Sequence, residues 1–226
     1  MTNIAPTANR LSTKRIVVTA MLIAISFVAV LIGRLVPNVA GFLSYDPKDA
    51  VIVIAGFIYG PMTAVVITAI VSLIEMLTIS TTGIYGFIMN VFATCAFAVP
   101  AALVYKKVHS MKGAVLGLVL GALCMTGCML LWNYIITPYY MGVERSMVAG
   151  MLIPTFLPFN LIKSGINLGL ALLLYKPLVT GLRSASLLPP SGAKSSKRSV
   201  QVGFTLISLF ILATFVLLFL VFSGVL

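Results

Sequence analysis

Charge is what this sequence has least of. Only 8% of its 226 residues are charged, and just four are acidic, against about 25% charged in an ordinary soluble domain. With 61% hydrophobic residues, the chain has too little polar material to cover a water-soluble surface, and it reads as an integral membrane protein in contact with the lipid bilayer. Histidine is nearly missing: His109 stands alone among lysines, so no nucleophile–base pair can be assembled. There is no G-x-x-x-x-G-K-[ST] phosphate loop and no Cys/His cluster with metal-ligand spacing. The expectation is a protein that is not an enzyme, does not hydrolyse ATP, and holds no metal or cofactor. Cysteine is scarce too. Cys95, Cys124 and Cys128 all fall in apolar stretches and are odd in number, which suits small core residues better than a disulfide framework. A net charge of +11 would suggest nucleic acid in a soluble protein. Here it is read as a record of topology, with no nucleic-acid partner.

What the chain does have is a series of long apolar runs. Residues 1–13 form a polar tail. Lys14 and Arg15 then precede a run from Ile16 to Val36, too long for a signal-peptide core and therefore a retained helix. After a loop from Pro37 to about Tyr45, Asp46-Pro47-Lys48-Asp49 has the makings of a helix start: Asp46 to cap, Pro47 in the first turn, Asp49 at the positive end of the dipole. Apolar sequence continues from Ala50 to Leu77, broken by Gly60-Pro61, and further runs cover about 84–105, 113–136, 155–182 and 201–226.

Charge decides whether 50–77 is one kinked helix or two short ones. With two, Arg10, Lys14, Arg15, Lys106, Lys107, Lys112, Lys176, Arg183, Lys194, Lys197 and Arg198 share one side, and only Arg34, Lys48 and Arg145 face the other. The positive-inside rule prefers this arrangement: an all-α, polytopic cell-membrane protein of seven helices, N-terminus cytoplasmic and C-terminus outside. Its second helix, Pro47–Tyr59, spans only about 20 Å and needs shielding by its neighbours. Residues 14–183 then make a six-helix core. Residues 184–200, rich in Ser, Pro, Lys and Gly, form a cytoplasmic linker. Residues 201–226 add a seventh helix, uncharged, with Gly203, Ser208 and Ser223 scattered along it, expected to be lipid-facing and peripheral.

On this topology the strongly polar intramembrane residues fall in one layer. Glu75 lies near the outer end of helix three, Asn90 about two turns into helix four, and Asn133 near the outer end of helix five, just before Pro138. Asn160, Lys163 and Asn167 follow Pro158 at spacings of three and four and share one face of helix six, with Lys163 roughly 10 Å below the outer mouth. The inner half of these helices is Ala, Val, Leu and Phe. This describes a cup open to the outside, since a conduit needs polar lining at both depths. Intramembrane charge is functional by default, so Lys163 is the leading candidate for a ligand anchor, held by Glu75 or the asparagines. Snorkelling and a purely structural pair with Glu75 compete with that role, and the amides alone would serve as interhelical glue. Phe42, Tyr45, Tyr85, Trp132, Tyr134, Tyr139 and Tyr140 lie at the same level, either as an interfacial belt or as walls for a flat ligand. Three small-residue faces allow close helix approach, within the bundle or toward a partner: Ala20 with Ala24; Gly56 with Gly60; and Gly113, Gly117 and Gly121.

The stretches YDPKDAVIVIAGFIYGPMTAVVITAIVSLIE, GIYGFIMNVFAT, LWNYIITPYY and FNLIKSGIN together resemble the riboflavin-specific substrate-binding (S) component of energy-coupling factor (ECF) transporters, in order across roughly residues 10–183. The resemblance implies six helices and high-affinity capture of the vitamin in an outward-facing cavity. It implies docking on a membrane coupling (T) subunit bound to two ATP-binding subunits, with inward delivery as the S component topples in the bilayer. Asn133, Asn160 and Lys163 would then bind the flavin's polar edge or ribityl chain, with Glu75 and Asn90 as secondary candidates. The segment Phe42-Leu43-Ser44-Tyr45 would act as a lid, and Ala20 and Ala24 would match the family's docking motif. Tyr85 and Asn167 complete the candidate ligand-binding set. The seventh helix departs from the family's usual pattern. The competing readings are an S component for another vitamin, a membrane scaffold without a small-molecule ligand, and a self-sufficient secondary transporter. The last would call for polar residues or broken helices near the midplane and internal repeats.

Overall fold

Gly60 and Pro61 set the geometry from which the rest of the bundle follows. Gly60 adopts φ 93°, a conformation that glycine tolerates readily, and Pro61 opens the next helix with its fixed φ and missing donor. The stretch 50–77 is therefore two helices joined by a sharp pivot, as the charge pattern predicts. The computed structural model describes residues 13–188 and 198–225. Most of the expected tail and linker, including Arg10, Lys194 and Lys197, lies outside the described residues. The helices are α1 (Thr13–Gly33), α2 (Lys48–Tyr59), α3 (Pro61–Thr78), α4 (Gly83–Lys107), α5 (Met111–Met141), α6 (Arg145–Met151), α7 (Leu157–Ser184) and α8 (Arg198–Phe222). Among the described residues, six stretches are long and apolar enough to cross a bilayer: α1, α3, α4, α5, the run from α6 through α7, and α8. The chain is a multi-pass membrane protein.

The exception is α2. Its twelve residues rise only about 18 Å. Its whole length from Lys48 to Phe57 is buried, because it packs against α1, α3, α4 and α7 at once. That enclosure is how a helix too short to span is kept from lipid. It also leaves a shortfall of length at the end where α1 finishes, called here the loop end. The segment 34–47 fills part of that space, and a cavity occupies the rest.

Glycine sets the other close contacts. A Cβ on Gly117 would stand 2.7 Å from the Ala101 carbonyl oxygen, and one on Gly121 would stand 2.3 Å from that of Phe97. The backbones of α4 and α5 thus nearly touch. Gly56 faces Ala102 and Ala64 in the same manner. These glycine faces serve packing inside the bundle.

Two boundaries differ from the sequence reading. The last core helix begins near residue 145, not 155, and passes through a π-helical turn at Leu152–Phe156. Pro154 and Pro158 lack the N–H groups of the normal ladder, and a shift to wider hydrogen bonding lets the helix continue through them. Likewise α5 runs past Pro138 to Met141 and stops at Gly142, with φ 65°. The last spanning helix, α8, lies at the edge with much of its surface exposed, but it is not a loose appendage. It packs on α7, where a Cβ on Gly165 would fall 2.4 Å from the Phe215 ring and one on Gly169 would fall 3.1 Å from the Leu212 Cα. The small residues that seat it belong to α7, so α8's own scattered Gly and Ser gave no sign of it.

Candidate ligand-binding site

The segment joining α1 to α2 folds over the loop end. Val39 and Leu43 exchange backbone hydrogen bonds of 2.8 and 2.9 Å around Ala40 and Gly41, both with positive φ. This tight hairpin sets Phe42 edge-on to Phe156, ring centroids 5.9 Å apart. Further along, the Tyr45 hydroxyl donates to Asn167 Oδ1 at 3.2 Å, and Asn167 Nδ2 donates to the Asp46 carbonyl at 3.1 Å. The loop is thereby stitched to α7. Burial, with Asp49 adding to it, pushes the Tyr45 phenol far above its usual range, so it stays a neutral donor.

Beneath the loop the first turn of α2 carries charge into the bundle. Asp46 Oδ1 accepts the Lys48 backbone N–H at 3.2 Å, but from one residue ahead of the cap position expected of it: Pro47 stands at the N-cap, and no side chain caps the helix there. Lys48 itself, which the sequence places among basic residues of an outer loop, is wholly buried. Its ammonium binds Asp46 Oδ2 and, at 3.0 Å, Glu75 Oε2. Distances along the helices account for the meeting. From the Gly60 pivot, Lys48 lies about 18 Å along α2 and Glu75 about 22 Å along α3, so they reach the same level. Glu75 also accepts from Arg34 at 3.1 Å and from Asn90 Nδ2 at 3.1 Å.

Lys163 has a different counter-ion from the one expected. Glu75 is occupied by Lys48, Arg34 and Asn90, and the carboxylate nearest Lys163 is Asp49, 4.0 Å away. Asp49, fully buried, accepts from Thr94 Oγ1 at 2.6 Å and faces Asn167 Nδ2 at 3.5 Å. At 4.0 Å the Lys163 pair is an ion pair without a proper hydrogen bond. No other described acceptor is bonded to that ammonium, and its three donors remain to be used.

A cavity of about 240 Å³ opens against these groups. It is lined by Phe42, Leu43, Ser44 and Tyr45 from the loop, Glu75 from α3, Asn90 from α4, Asn133 from α5, and Asn160 and Lys163 from α7, with Arg34, Met89, Met129, Tyr140 and Phe159 among the remainder. The polar layer read from the sequence is therefore one place in space. Asn133 is satisfied within its helix, donating to the Met129 carbonyl at 2.7 Å and accepting from Thr137 at 2.9 Å. Asn160 donates to the Phe156 carbonyl at 2.8 Å across the π-turn, which leaves its Oδ1 for the cavity.

Two candidates fall elsewhere. Tyr85, 43% exposed, does not line the cavity. Two residues into α4, it stands on the outer surface of the bundle. Asn167 is fully buried behind the cavity wall and holds the loop and Asp49 in place. The sequence reading missed Asp49 as a partner for Lys163 and Lys48 as a buried residue. The signal for both was present: three charges packed into Asp46–Asp49 directly before an uncharged apolar run.

A second hollow, about 360 Å³, lies between α1 and α3, toward the opposite end of the bundle. It is apolar and lined by Ile16, Thr19, Ala20, Ile23, Met62, Val66 and Ile70, with Arg15 and Thr63 at its rim. Ala20 and Ala24 are both exposed on this side of α1.

Comparison with known proteins agrees with this architecture. The family described as ECF transporter, substrate-specific component, matches residues 14–175. The riboflavin transporter FmnP of Bacillus subtilis (strain 168) is 32% identical over 184 residues, covering 76% of this chain and 97% of the relative. The riboflavin transporter RibU of Staphylococcus aureus (strain TCH60) is 28% identical over 181 residues, covering 77% of this chain and 95% of the relative. A solved structure of the S component of a bacterial ECF transporter superposes with a TM-score of 0.64 at 28% identity, covering 75% of this chain and 98% of that one. With its short buried α2, its cavity at the loop end and a family match running from α1 well into α7, this chain belongs to the substrate-specific (S) components of ECF transporters.

Proposed function

We propose that the protein is the riboflavin-binding subunit of an ECF-type vitamin uptake transporter. It captures the flavin in the loop-end cavity and delivers it inward when docked on an energised module. The observation that carries this reading is Lys163: a buried ammonium, only loosely opposed by Asp49 at 4.0 Å, facing a cavity with amide groups on two other walls. Riboflavin offers what such a wall recognises. Its ring carbonyls and ribityl hydroxyls accept from the ammonium and from Asn90, and its hydroxyls donate to Asn160 Oδ1. Phe42, Met89, Met129 and Phe159 supply apolar and aromatic surface for the flat ring. Under the loop, away from water, each charge-assisted bond gains strength. The protein's part is binding and release; no bond of the ligand is made or broken.

The loop end faces outward in this proposal, because the basic residues Lys14, Arg15, Lys106, Lys107, Lys112 and Arg183 all sit toward the opposite end, where the positive-inside rule puts the cytoplasm. The N-terminus is then cytoplasmic and the end of α8 outside. Partners are a membrane coupling (T) subunit and two ATP-binding subunits. The apolar hollow between α1 and α3, with Ala20 and Ala24 exposed beside it, supports α1 as the docking face.

Titration of the purified protein with riboflavin, FMN, thiamine and biotin, followed by flavin fluorescence or calorimetry, tests the ligand. Saturable submicromolar binding confined to flavins is expected, and a preference for a non-flavin vitamin would end the assignment. Docking is tested with Ala20→Trp and Ala24→Trp. Coupled uptake is expected to stop while riboflavin binding in detergent is retained; uptake at the normal rate would remove α1 as the docking face.

A further inference from the structure

The matched family region stops at residue 175, so α8 lies beyond it, yet α8 reaches the cavity's cover. From its seat on Gly165 and Gly169, α8 runs to the loop end. There Phe219, almost fully buried, packs on Tyr45 with ring centroids 6.0 Å apart. Val39, Phe159, Ile162 and Ile166 close the same apolar cluster, with Leu43 and Phe222 against it. Tyr45 and Leu43 line the cavity on their other side. The loop is therefore held twice: by the Tyr45–Asn167 hydrogen bond from within and by Phe219 from without. At about 240 Å³ the cavity is smaller than the roughly 300–1,000 Å³ typical of sites for drug-sized ligands, so the loop that covers it has to shift to admit a flavin.

We propose that α8 is a latch on this cover and that Phe219 is its positioning residue, slowing both uptake into the cavity and release from it. The proposal rests on the cavity being the flavin site, but its first test needs no ligand. When the loop lifts, Tyr45 must leave Phe219, and the lost apolar contact raises the barrier in both directions. The loop closes against Phe219 both before and after binding, so the contact cancels between the two end states and the rates change more than the affinity.

In the full chain with Cys95, Cys124 and Cys128 replaced by alanine, Ser44→Cys reports opening through its rate of labelling by a water-soluble maleimide, without flavin. Adding Phe219→Ala is expected to raise that rate about fivefold or more, while Phe219→Leu restores it most of the way. Gly169→Ala, which presses on Leu212 and loosens the seat without touching the loop, is expected to act in the same direction and serves if Phe219→Ala does not fold. Stopped-flow riboflavin binding then gives association and dissociation rates, both expected to rise about fivefold with Kd changing less than about threefold. Unchanged labelling in Phe219→Ala and Gly169→Ala overturns the latch. So does faster labelling with unchanged flavin rates. A wild-type protein that binds no flavin would instead sink the functional assignment, and labelling alone would still decide whether α8 restrains the loop.

Discussion

Glu75 and Asp49 are both buried carboxylates near the loop end of one bundle, yet their surroundings are opposite in kind. Glu75 takes donors from Arg34, Lys48 and Asn90, all within 3.1 Å, and nothing about it is unfinished. Asp49 is held firmly by Thr94 at 2.6 Å, but its cation, Lys163, stops at 4.0 Å with donors to spare. A saturated cluster fixes geometry, and an unsaturated one beside a hollow awaits a partner. The comparison teaches that charge inside a membrane bundle has to be sorted by what remains unused, since burial and sign are alike in the two cases.

Substitutions can break this contrast. The largest effect on folding is expected at Lys48. Lys48→Met leaves Asp46 without its cation and strips Glu75 of one partner, at a cost of about 3–5 kcal/mol typical for breaking a buried pair. A steep fall in Tm and in recoverable monodisperse protein is the expected result, and a wild-type melting curve would show that the Glu75 cluster is dispensable. Lys163→Met is expected to weaken riboflavin binding by about 100-fold or more, equivalent to about 2.7 kcal/mol, while Tm falls much less than in Lys48→Met, because the Lys163 pair is already long and Asp49 keeps Thr94 and Asn167. A large loss of Tm with unchanged affinity would move Lys163 to the structural side of the comparison. In the proposed site, Asn160→Ala removes one neutral hydrogen bond to the ligand, worth about 1 kcal/mol, so Kd by titration is expected to rise about fivefold. At the small end, Tyr85→Ala on the exposed surface is expected to change neither Kd nor stability beyond about 0.5 kcal/mol, and a tenfold loss would bring Tyr85 back into the site.

Much of this was open to reading in the residues. Hydropathy and charge alternation place every spanning helix, and the Gly60-Pro61 pivot follows from the backbone rules for those two residues. Glu75, Asn90, Asn133, Asn160 and Lys163 come out at one depth because helix rise converts sequence position into height. Height is all it converts. Which carboxylate faces which ammonium depends on helix rotation and on how α2 nests among four neighbours, so from sequence Asp49 reads as a dipole-stabilising residue and Glu75 or the asparagines as the support of Lys163. Tyr85 shares the right level but points the wrong way around α4. For α8 the signal lies in another helix: the i, i+4 pair Gly165 and Gly169 is as plain in the chain as Ala20 and Ala24, but nothing in α8 itself names the face that meets it.

The ion pairs around the cavity have one more consequence, visible when their signs are summed. Arg34, Lys48 and Lys163 stand against Asp46, Asp49 and Glu75, so the loaded pocket is electrically neutral if its guest is. Moving a single elementary charge through a membrane potential of 100 mV takes about 2.3 kcal/mol. In the proposed function, a pocket that changes sides with a neutral vitamin inside adds no net charge of its own to that work.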